Sequence, residues 1–534
     1  MIRRWWPLAV VLIGLLIGTL GLLLPNPRQR LFELTGEERL LAQARGAVQW
    51  AFRWTRPLPR SAAQSSIAHT DPPPFGVNTF LDQEVEPEKR ERALRMIADA
   101  GFSWVRQSFP WADIEIHGKG DFEDRRHDPI RSAWEKYDNI VELAEGAGLG
   151  IIARLEAPPE WSRADGHARG AFGPPDVFED YADYAAAVAS RYRGRIRFYQ
   201  IWNEPNIYPE WGNQPVDPEA YTRLLCLAYQ SIKAVDPEAV IISGALAPTA
   251  ELGTWNPSDN GNNLMDVIFL QRMYNAGAGA CFDILAVNDY MLWSGPTDRR
   301  MRPTQTAMNF SRPLWVRDVM VANGDASKPI WISEMNSNAA PETIDARFGR
   351  VTPEQQARWA TLAYERIQKE WPWAGVATVW FFKRASDAEV GQPFYYFRMV
   401  EPDFTPLPLY TALADYLTTL EPTLYAGRHQ ETSWQLSYSG AWEDRETPEA
   451  ALGGYREATD AGAELSFTWE GHRLLLHPGP GEGVVRLTEA DQPSREITLR
   501  GKPVVLSVRL RAEPRSVTLA PVSGTISIDE LQVR

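Results

Sequence analysis

The sequence has only two cysteines, Cys226 and Cys281, in 534 residues. Two cysteines cannot form a disulfide framework or a zinc site made of cysteine ligands. Each lies in an apolar stretch, LLCLAY and GACFDIL, and this favours two buried free thiols over a bridge. The seven histidines are scattered and no H-E-x-x-H motif is present. We therefore predict neither a metal site nor another cofactor.

Other motifs are also missing, and each absence excludes a class of function. The G-x-S-x-G motif of serine hydrolases is absent. No glycine-rich loop follows the first predicted strand, where a dinucleotide-binding fold needs one. The net charge is -14, and no block of lysine and arginine resembles a phosphate-binding stripe. A nucleic-acid partner is therefore not predicted, and neutral substrates fit better.

One long apolar run is present near the start of the chain. Residues 7–24 are 18 positions without a charge, preceded by Arg3 and Arg4. A helix needs about 20 such residues to cross a bilayer, whereas the core of a cleaved signal peptide is about 7 to 15 residues long. We predict an uncleaved transmembrane anchor within residues 1–24, with a cytoplasmic amino terminus. The protein would then be a single-pass protein of the cell membrane with its bulk outside the cytoplasm.

Residues 25–72 are predicted to form a juxtamembrane helix and a linker. Apolar residues recur at roughly helical spacing over residues 31–56, and the following PLPRSAAQSSIAHTDPPP has the composition of a linker. We expect this stretch to hold the rest of the chain away from the bilayer. Removing residues 1–72 should then leave a soluble, folded protein.

Residues 73–420 alternate apolar runs with helical stretches, a pattern typical of βα units around a parallel sheet. Such units favour an α/β fold, a (β/α)8 TIM barrel, over the alternative of a doubly wound open sheet. The eight predicted strands cover residues 75–80, 102–109, 149–157, 197–204, 239–247, 282–290, 329–334 and 375–382.

Residues 421–534 change to short alternating runs separated by glycine, proline and charged turns. This pattern is typical of an all-β sandwich, here called the C-terminal module, and resembles jelly-roll domains only loosely. Its role is open between a stabilising appendage and a sugar-binding module. A short connection to the barrel favours packing as the primary role. The candidates for stacking on a glycan are Trp434, Trp442 and Tyr455.

Two of the predicted barrel strands end in a glutamate. The stretch RFYQIWNEPN ends its apolar run at Glu204, and PIWISEMNSN brings Glu334 to the corresponding position. The two residues are 130 positions apart, which is close to the length of three of the eight equal units into which residues 73–420 divide. They would then belong to the fourth and seventh strands, which lie on opposite sides of the ring. Hydrolysis of a glycosidic bond requires two facing carboxyl groups: one protonates the leaving oxygen, and the other attacks the anomeric carbon or activates water. The pair therefore predicts a glycosidase.

Tryptophans are frequent at or just beyond the predicted strand ends. Sugars pack their C–H faces on aromatic rings, although packing within the barrel is the more common role of such residues. The tryptophans in question are Trp111, Trp161, Trp202, Trp211, Trp293 and Trp380.

The motifs IWNEPN and WISE, at 201–206 and 331–334, resemble the acid/base and nucleophile strands of the clan A retaining glycoside hydrolases. The resemblance covers residues 75–420 and is closest to families 39 and 5, which include β-xylosidases and cellulase-type endoglycanases. It implies a (β/α)8 enzyme that cleaves β-glycosidic bonds of polysaccharides or oligosaccharides by double displacement. Glu204 would be the acid/base and Glu334 the nucleophile.

The same resemblance implies supporting roles for other residues. Asn203 would hold the sugar 2-hydroxyl, and Arg106 and Tyr290 would support the nucleophile. Asn288 stands where many members have histidine, and PPEW at 158–161 replaces another frequent histidine, so the substrate stays open. The residues predicted to bind substrate are Asn203, Arg106, Tyr290, Trp380, Asn288 and Trp111.

The two glutamates must differ in protonation for this chemistry. A free glutamate has a pKa of about 4.3, so the acid/base needs burial or a neighbouring negative charge to keep its proton at neutral pH. An arginine and a tyrosine hydroxyl near the nucleophile would keep that residue ionised. The competing hypothesis is a catalytically silent glycan-binding or envelope scaffold protein on the same barrel, and the presence of both glutamates favours the enzyme.

Overall fold

The computed structural model describes residues 26–51, 57–253, 263–301, 308–460, 462–490 and 492–534. The predicted membrane segment, residues 7–24, lies outside these ranges. No helix within them is both long and apolar enough to cross a bilayer.

Eight parallel strands form one closed barrel, as predicted. They follow each other around the ring in chain order, and bridges from Ile242 to Ile284 and from Leu246 to Val287 join β5 to β6 and close it. Most strand positions are fully buried, which explains their near-continuous apolar sequences. The strands are β1 Phe75–Thr79, β2 Trp104–Pro110, β3 Gly150–Glu156, β4 Phe198–Ile201, β5 Val240–Ile242, β6 Leu285–Asn288, β7 Ile330–Met335 and β8 Ala374–Val379.

Helices cover the outside of the barrel: within the described ranges, two precede β1, two follow β2 and one follows each of the other strands. Many of them begin with proline, whose fixed φ and missing N–H suit the first position of a helix. The helices are α1 Pro27–Thr35, α2 Leu40–Ala51, α3 Pro87–Asp99, α4 Trp111–Ile114, α5 Glu135–Gly146, α6 Phe178–Arg191, α7 Pro218–Val235, α8 Asp266–Asn275, α9 Pro313–Ala322, α10 Pro353–Glu370 and α11 Pro408–Thr419.

The N-terminal half of the barrel interior is filled by aromatic rings. Phe198 lies 5.2 Å from Trp104 and 4.9 Å from Trp331, measured between ring centroids. The indole nitrogens of these tryptophans donate to the carbonyls of Pro73 (2.9 Å) and His69 (3.0 Å). The segment before β1 therefore closes the N-terminal end of the barrel.

The region predicted as a juxtamembrane helix and linker differs from expectation. It contains two helices, α1 and α2, because Gly36 adopts a positive φ of 64° that ends the first. The following residues pack on the barrel and the module: Arg317 donates to the carbonyl of Ser61 at 3.0 Å, and Ser66 donates to Glu530 at 2.8 Å. This stretch is therefore part of the folded unit and not a free linker.

The C-terminal region is all-β, as predicted, with largely antiparallel strands. They form three sheets, ordered β9-β14-β19-β16-β17 with β11 beside β14, then β10-β21-β15-β18, and β12-β13-β20. The strands are β9 Thr423–Leu424, β10 Gly427–Gln430, β11 Ser437–Ser439, β12 Glu443–Glu446, β13 Gly454–Ala458, β14 Glu464–Trp469, β15 Arg473–His477, β16 Glu482–Glu489, β17 Arg495–Arg500, β18 Val504–Val508, β19 Arg515–Gly524, β20 Ile526–Ile528 and β21 Glu530–Val533.

The C-terminal module packs on the N-terminal end of the barrel. The ring of Trp434 meets Phe75, the first residue of β1, edge-on at 5.5 Å, and its backbone N–H donates to the carbonyl of Asp71 at 2.9 Å. Trp442 packs on Tyr438 at 4.9 Å beside the core of the module. Trp434 is thus used in packing, and the module lies at the opposite end of the barrel from Glu204 and Glu334.

The two cysteines are bridged, so the expectation of free thiols is wrong. Cys226 lies on α7 and Cys281 follows the short turn after α8, with their Cα atoms 4.8 Å apart. The apolar stretches around them predicted burial, but local sequence holds no information about the distance between two residues 55 positions apart. Neighbouring helices of the barrel bring them together.

Candidate active site

The carboxyl ends of the strands bring most of the predicted site residues into one pocket. Glu334 lies on β7, and Arg106 lies on β2. Strand β4 ends at Ile201, earlier than predicted, and Trp202 has a positive φ of 75°, so Glu204 lies in the turn that follows the strand. The turn brings Glu204 toward Glu334 from the opposite side of the ring.

The Glu334 carboxylate is held at both of its oxygens. Arg106 Nη1 donates to Oε1 at 2.9 Å, and the Tyr290 hydroxyl donates to Oε2 at 2.6 Å. A second guanidinium, that of Arg154, lies 3.8 Å from Oε1. The side chains of Arg106 and Glu334 are only 1% and 5% exposed. Positive charge and a donated hydroxyl proton both stabilise the ionised form of a carboxyl group.

Arg106 is itself fixed by a polar layer inside the barrel. Its Nε donates to Gln200 at 2.6 Å, and Nη1 and Nη2 donate to Asn78 at 2.7 Å and to Asn203 at 2.9 Å. Burial and the nearby charge of Arg154 lower the pKa of Arg106. Because all its nitrogens have partners, the guanidinium cannot turn away from Glu334.

Glu204 is in a different environment. A neutral amide, Asn288 Nδ2, donates to its Oε1 at 2.7 Å. Desolvation and the negative charges of Glu334 and Glu210 raise the pKa of Glu204 well above its usual range. The two facing glutamates therefore have different surroundings: Glu334 lies against a guanidinium and a phenol, whereas Glu204 lies against a neutral amide and has a raised pKa.

Tyr290 is placed to donate and not to ionise. Burial and the charges of Glu334 and Glu204 raise its pKa well above the usual value. Its ring packs edge-on against Phe397 at 5.4 Å. The hydroxyl thus keeps its proton and points it at Glu334.

Three charged residues of the pocket were missed in the sequence. Arg154 and Glu156, both on β3, are paired at 2.5 Å, and Ser108 donates to Glu156 at 2.8 Å. Glu210 follows β4, and burial together with the charge of Glu156 raises its pKa to about 7. Arg154 and Glu156 could have been found from the stretch ARLE at 153–156, because it places charged residues at inward positions of a buried strand.

The predicted tryptophans divide into two groups. Trp380 is half-buried just beyond β8, with its ring 5.3 Å from Phe80, and stays at the mouth of the barrel. Trp111 is fully buried, stacked on Tyr184 at 5.4 Å, and its indole N–H donates to Glu115. The prediction that Trp111 contacts substrate is therefore wrong: α4 turns its ring into the core. Trp293, after β6, is 47% exposed.

No group of three or more histidine, cysteine, aspartate or glutamate residues within the described ranges is arranged to hold a metal ion. The carboxyl groups of the pocket are instead interleaved with guanidinium groups.

No protein-family model matches the sequence, and neither does any curated protein. Solved structures do resemble it. A family 39 glycoside hydrolase from the gut symbiont Bacteroides cellulosilyticus WH2 is 17% identical, with a TM-score of 0.50 over 86% of this chain and 82% of that chain. This likeness shows a shared fold.

Two further solved structures are from family 39 and family 5. A family 39 β-xylosidase from Caulobacter crescentus is 15% identical, with a TM-score of 0.46 over 87% of this chain and 98% of that one. A family 5 subfamily 18 protein from Streptomyces cattleya is 17% identical, with a TM-score of 0.45 over 66% and 84%.

Proposed function

We propose that this protein is a retaining O-glycoside hydrolase that cleaves β-glycosidic bonds of polysaccharides or oligosaccharides by double displacement. One observation carries the proposal. Arg106 and Tyr290 donate to the two oxygens of Glu334, while Glu204 faces it with a neutral amide as partner and a raised pKa. The reaction needs one carboxyl group that keeps its proton and a second one whose negative charge is stabilised by donors.

In the first step, the Glu334 carboxylate attacks the anomeric carbon and the bond to the leaving oxygen breaks. Glu204 gives its proton to that oxygen, so the departing alcohol leaves neutral. The loss of negative charge on Glu334 as the glycosyl ester forms lowers the pKa of Glu204, which is then ready to act as a base. In the second step, Glu204 takes a proton from water, the water oxygen attacks the anomeric carbon, and Glu334 departs as carboxylate.

The remaining predicted residues support these steps. Asn203 directly precedes Glu204 in the chain and accepts a hydrogen bond from Arg106 Nη2 at 2.9 Å, where its amide can reach a sugar hydroxyl. Trp380 offers a ring at the barrel mouth for the sugar face. Asn288 orients Glu204 without adding charge.

A screen of aryl β-glycosides and polysaccharides tests the proposal directly. Glu334→Ala should remove turnover and allow azide to form the glycosyl azide of opposite anomeric configuration. Glu204→Ala should still release good leaving groups in the first step, because they need little protonation. Glu142→Ala, at an exposed position on α5, is the matched control and should keep full activity. No turnover on any substrate, together with measurable glycan binding, would instead favour the silent scaffold.

The proposal also covers location. The apolar run of residues 7–24 supports a membrane anchor, and the disulfide between Cys226 and Cys281 supports an oxidising compartment outside the cytoplasm. Protease added to intact cells should digest the barrel. Protection of the barrel in intact cells, with digestion after lysis, would contradict this topology.

A further inference from the structure

The two N-terminal helices are fixed to the barrel on one side. Phe32 is 4% exposed, the N–H of Gly295 donates to the carbonyl of Gly36 at 2.6 Å, and Glu37 pairs with Arg300 at 2.9 Å. Thr297 also donates to the carbonyl of Phe32 at 2.8 Å. Helices α1 and α2 therefore belong to the same rigid unit as the barrel.

The exposed charged side chains of these two helices are mostly basic. Among residues 26–51, Glu33 is the one exposed acidic residue, since Glu37 and Glu38 are turned toward Arg300 and Arg358 of the barrel. The whole chain has 69 acidic and 55 basic side chains, so a locally basic surface is a departure from its composition. The exposed arginines of this surface are Arg28, Arg30, Arg39 and Arg45.

Exposed leucines accompany the arginines. Leu40 is 50% exposed and Leu41 is 88% exposed. Leu41 and Arg45 are four residues apart and lie on one face of α2, away from the buried Gln43 and Ala47. A helix that presents leucine and arginine together to the outside is typical of one that lies in the interface of a bilayer.

The position of these helices in the chain also points to contact with a bilayer. The proposed membrane segment ends at residue 24 and α1 begins at Pro27. Three extended residues span at most about 11 Å, and the headgroup layer on each side of a bilayer is about 5 to 8 Å thick. Helix α1 must therefore begin within the headgroups or just beyond them, which leaves no length for a stalk.

We propose that the surface formed by Arg28, Arg30, Arg39, Arg45, Leu40 and Leu41 lies on anionic lipid headgroups and holds the barrel directly on the membrane. The proposal rests on the membrane anchor proposed above. Basic side chains next to a membrane segment are attracted by anionic lipids, and the attraction falls with salt. The acidic remainder of the protein is repelled by the same lipids, so the contact also fixes which side of the barrel faces the bilayer.

Fluorescence quenching on the full chain tests this contact. Ala44 is exposed on α2, and both native cysteines are bridged, so Ala44→Cys supplies one thiol for a fluorophore. The labelled chain is reconstituted into vesicles of phosphatidylcholine and phosphatidylglycerol that contain a lipid with a nitroxide headgroup. We expect strong quenching, and weaker quenching in phosphatidylcholine alone or at high salt.

Charge variants provide the matched controls. Changing the four arginines of the surface to glutamine should reduce quenching, and changing them to lysine should preserve it. The same change of net charge elsewhere should have no effect. The exposed arginines for that control are Arg131, Arg473, Arg500 and Arg511.

The outcomes separate the contact from the anchor. If the chain enters the vesicles but the fluorophore is not quenched, as when α2 packs on a second copy or another protein, the contact is overturned and the anchor stands. If the chain does not enter the vesicles, both are overturned. Quenching that is unaffected by the arginine-to-glutamine changes also overturns the role of the basic surface.

Discussion

The two glutamates of the site differ in the groups that touch them. Glu334 receives a guanidinium and a phenol, whereas Glu204 receives one amide. The difference does not come from the glutamates, which are chemically identical, but from Arg106 on β2 and from Asn288 and Tyr290 at the end of β6 and just after it. Removing one of these neighbours should therefore affect catalysis more than folding.

Tyr290→Phe is the mildest change that tests this point. It removes the hydroxyl that donates to Glu334 at 2.6 Å and keeps the ring. A hydrogen bond to a charged group is worth about 1.5 to 3 kcal/mol, so kcat/KM should fall about 10- to 100-fold. Tyr410→Phe, which removes a hydroxyl bonded to the carbonyl of Met96 on an outer helix, is the control and should leave kcat/KM unchanged. Equal rates for the two variants would contradict the role of Tyr290.

Glu210→Gln tests the electrostatics of Glu204, the proposed acid/base. The carboxyl group of Glu210 has a pKa of about 7, and its charge is one of the causes that raise the pKa of Glu204. Above about pH 7 the native Glu210 is negative and helps Glu204 keep its proton. Without that charge the pKa of Glu204 falls, and the alkaline limb of the kcat/KM profile should move to lower pH.

The control for Glu210→Gln is Glu142→Gln, at an exposed position on α5, which should leave the pH profile of kcat/KM unchanged. An alkaline limb that stays fixed or moves to higher pH in Glu210→Gln would contradict the assigned coupling.

The sequence identified the centre of the site but not its surroundings. Strand ends can be recognised from apolar runs, and the carboxyl ends of barrel strands share one face. For this reason the sequence could predict that five residues lie together: Glu204, Glu334, Arg106, Tyr290 and Asn288. Glu210 was missed because it lies in a loop, whose path depends on packing that no local pattern encodes. The ring of Trp111 was misassigned because a position just after a strand does not reveal whether a following turn points a side chain inward or outward.

Among the secondary-structure elements, the strands were the most predictable. Their burial on both faces leaves near-continuous runs of Val, Ile, Phe and Ala. The N-terminal segment was less predictable because apolar spacing indicates a helix but not what it packs against. Its glycine at position 36 was the local sign of the break between α1 and α2.

Helix α1 should contribute to stability through Phe32. The ring is 4% exposed and packs with the barrel core. Phe32→Ala should cost about 3 to 5 kcal/mol if α1 stays folded on the barrel, and lower the melting temperature. Leu41→Ala, at a position 88% exposed, is the matched control and should leave the melting temperature unchanged. Equal melting temperatures for both variants would show that α1 is not part of the folded unit.

Across the whole molecule, the C-terminal module and the candidate active site occupy opposite ends of the barrel. Truncation after Leu420 should lower the melting temperature, because it exposes Phe75 and the residues before β1 that pack on the module. Trp434→Ala should lower it less, since one contact is lost, and Trp442→Ala should not disturb the barrel transition. A truncated chain that melts at the temperature of the intact one would reject packing as the role of the module.

The anomeric configuration of the first-formed product is the measurement that tests the double displacement most directly. A covalent bond to Glu334 followed by attack of water inverts the anomeric carbon twice, so a β-glycoside should release the β-anomer first. Proton NMR during the first part of the reaction, before mutarotation, distinguishes the two anomers. Release of the β-anomer is the predicted result, and initial release of the α-anomer would contradict the assignment of Glu334 as the nucleophile.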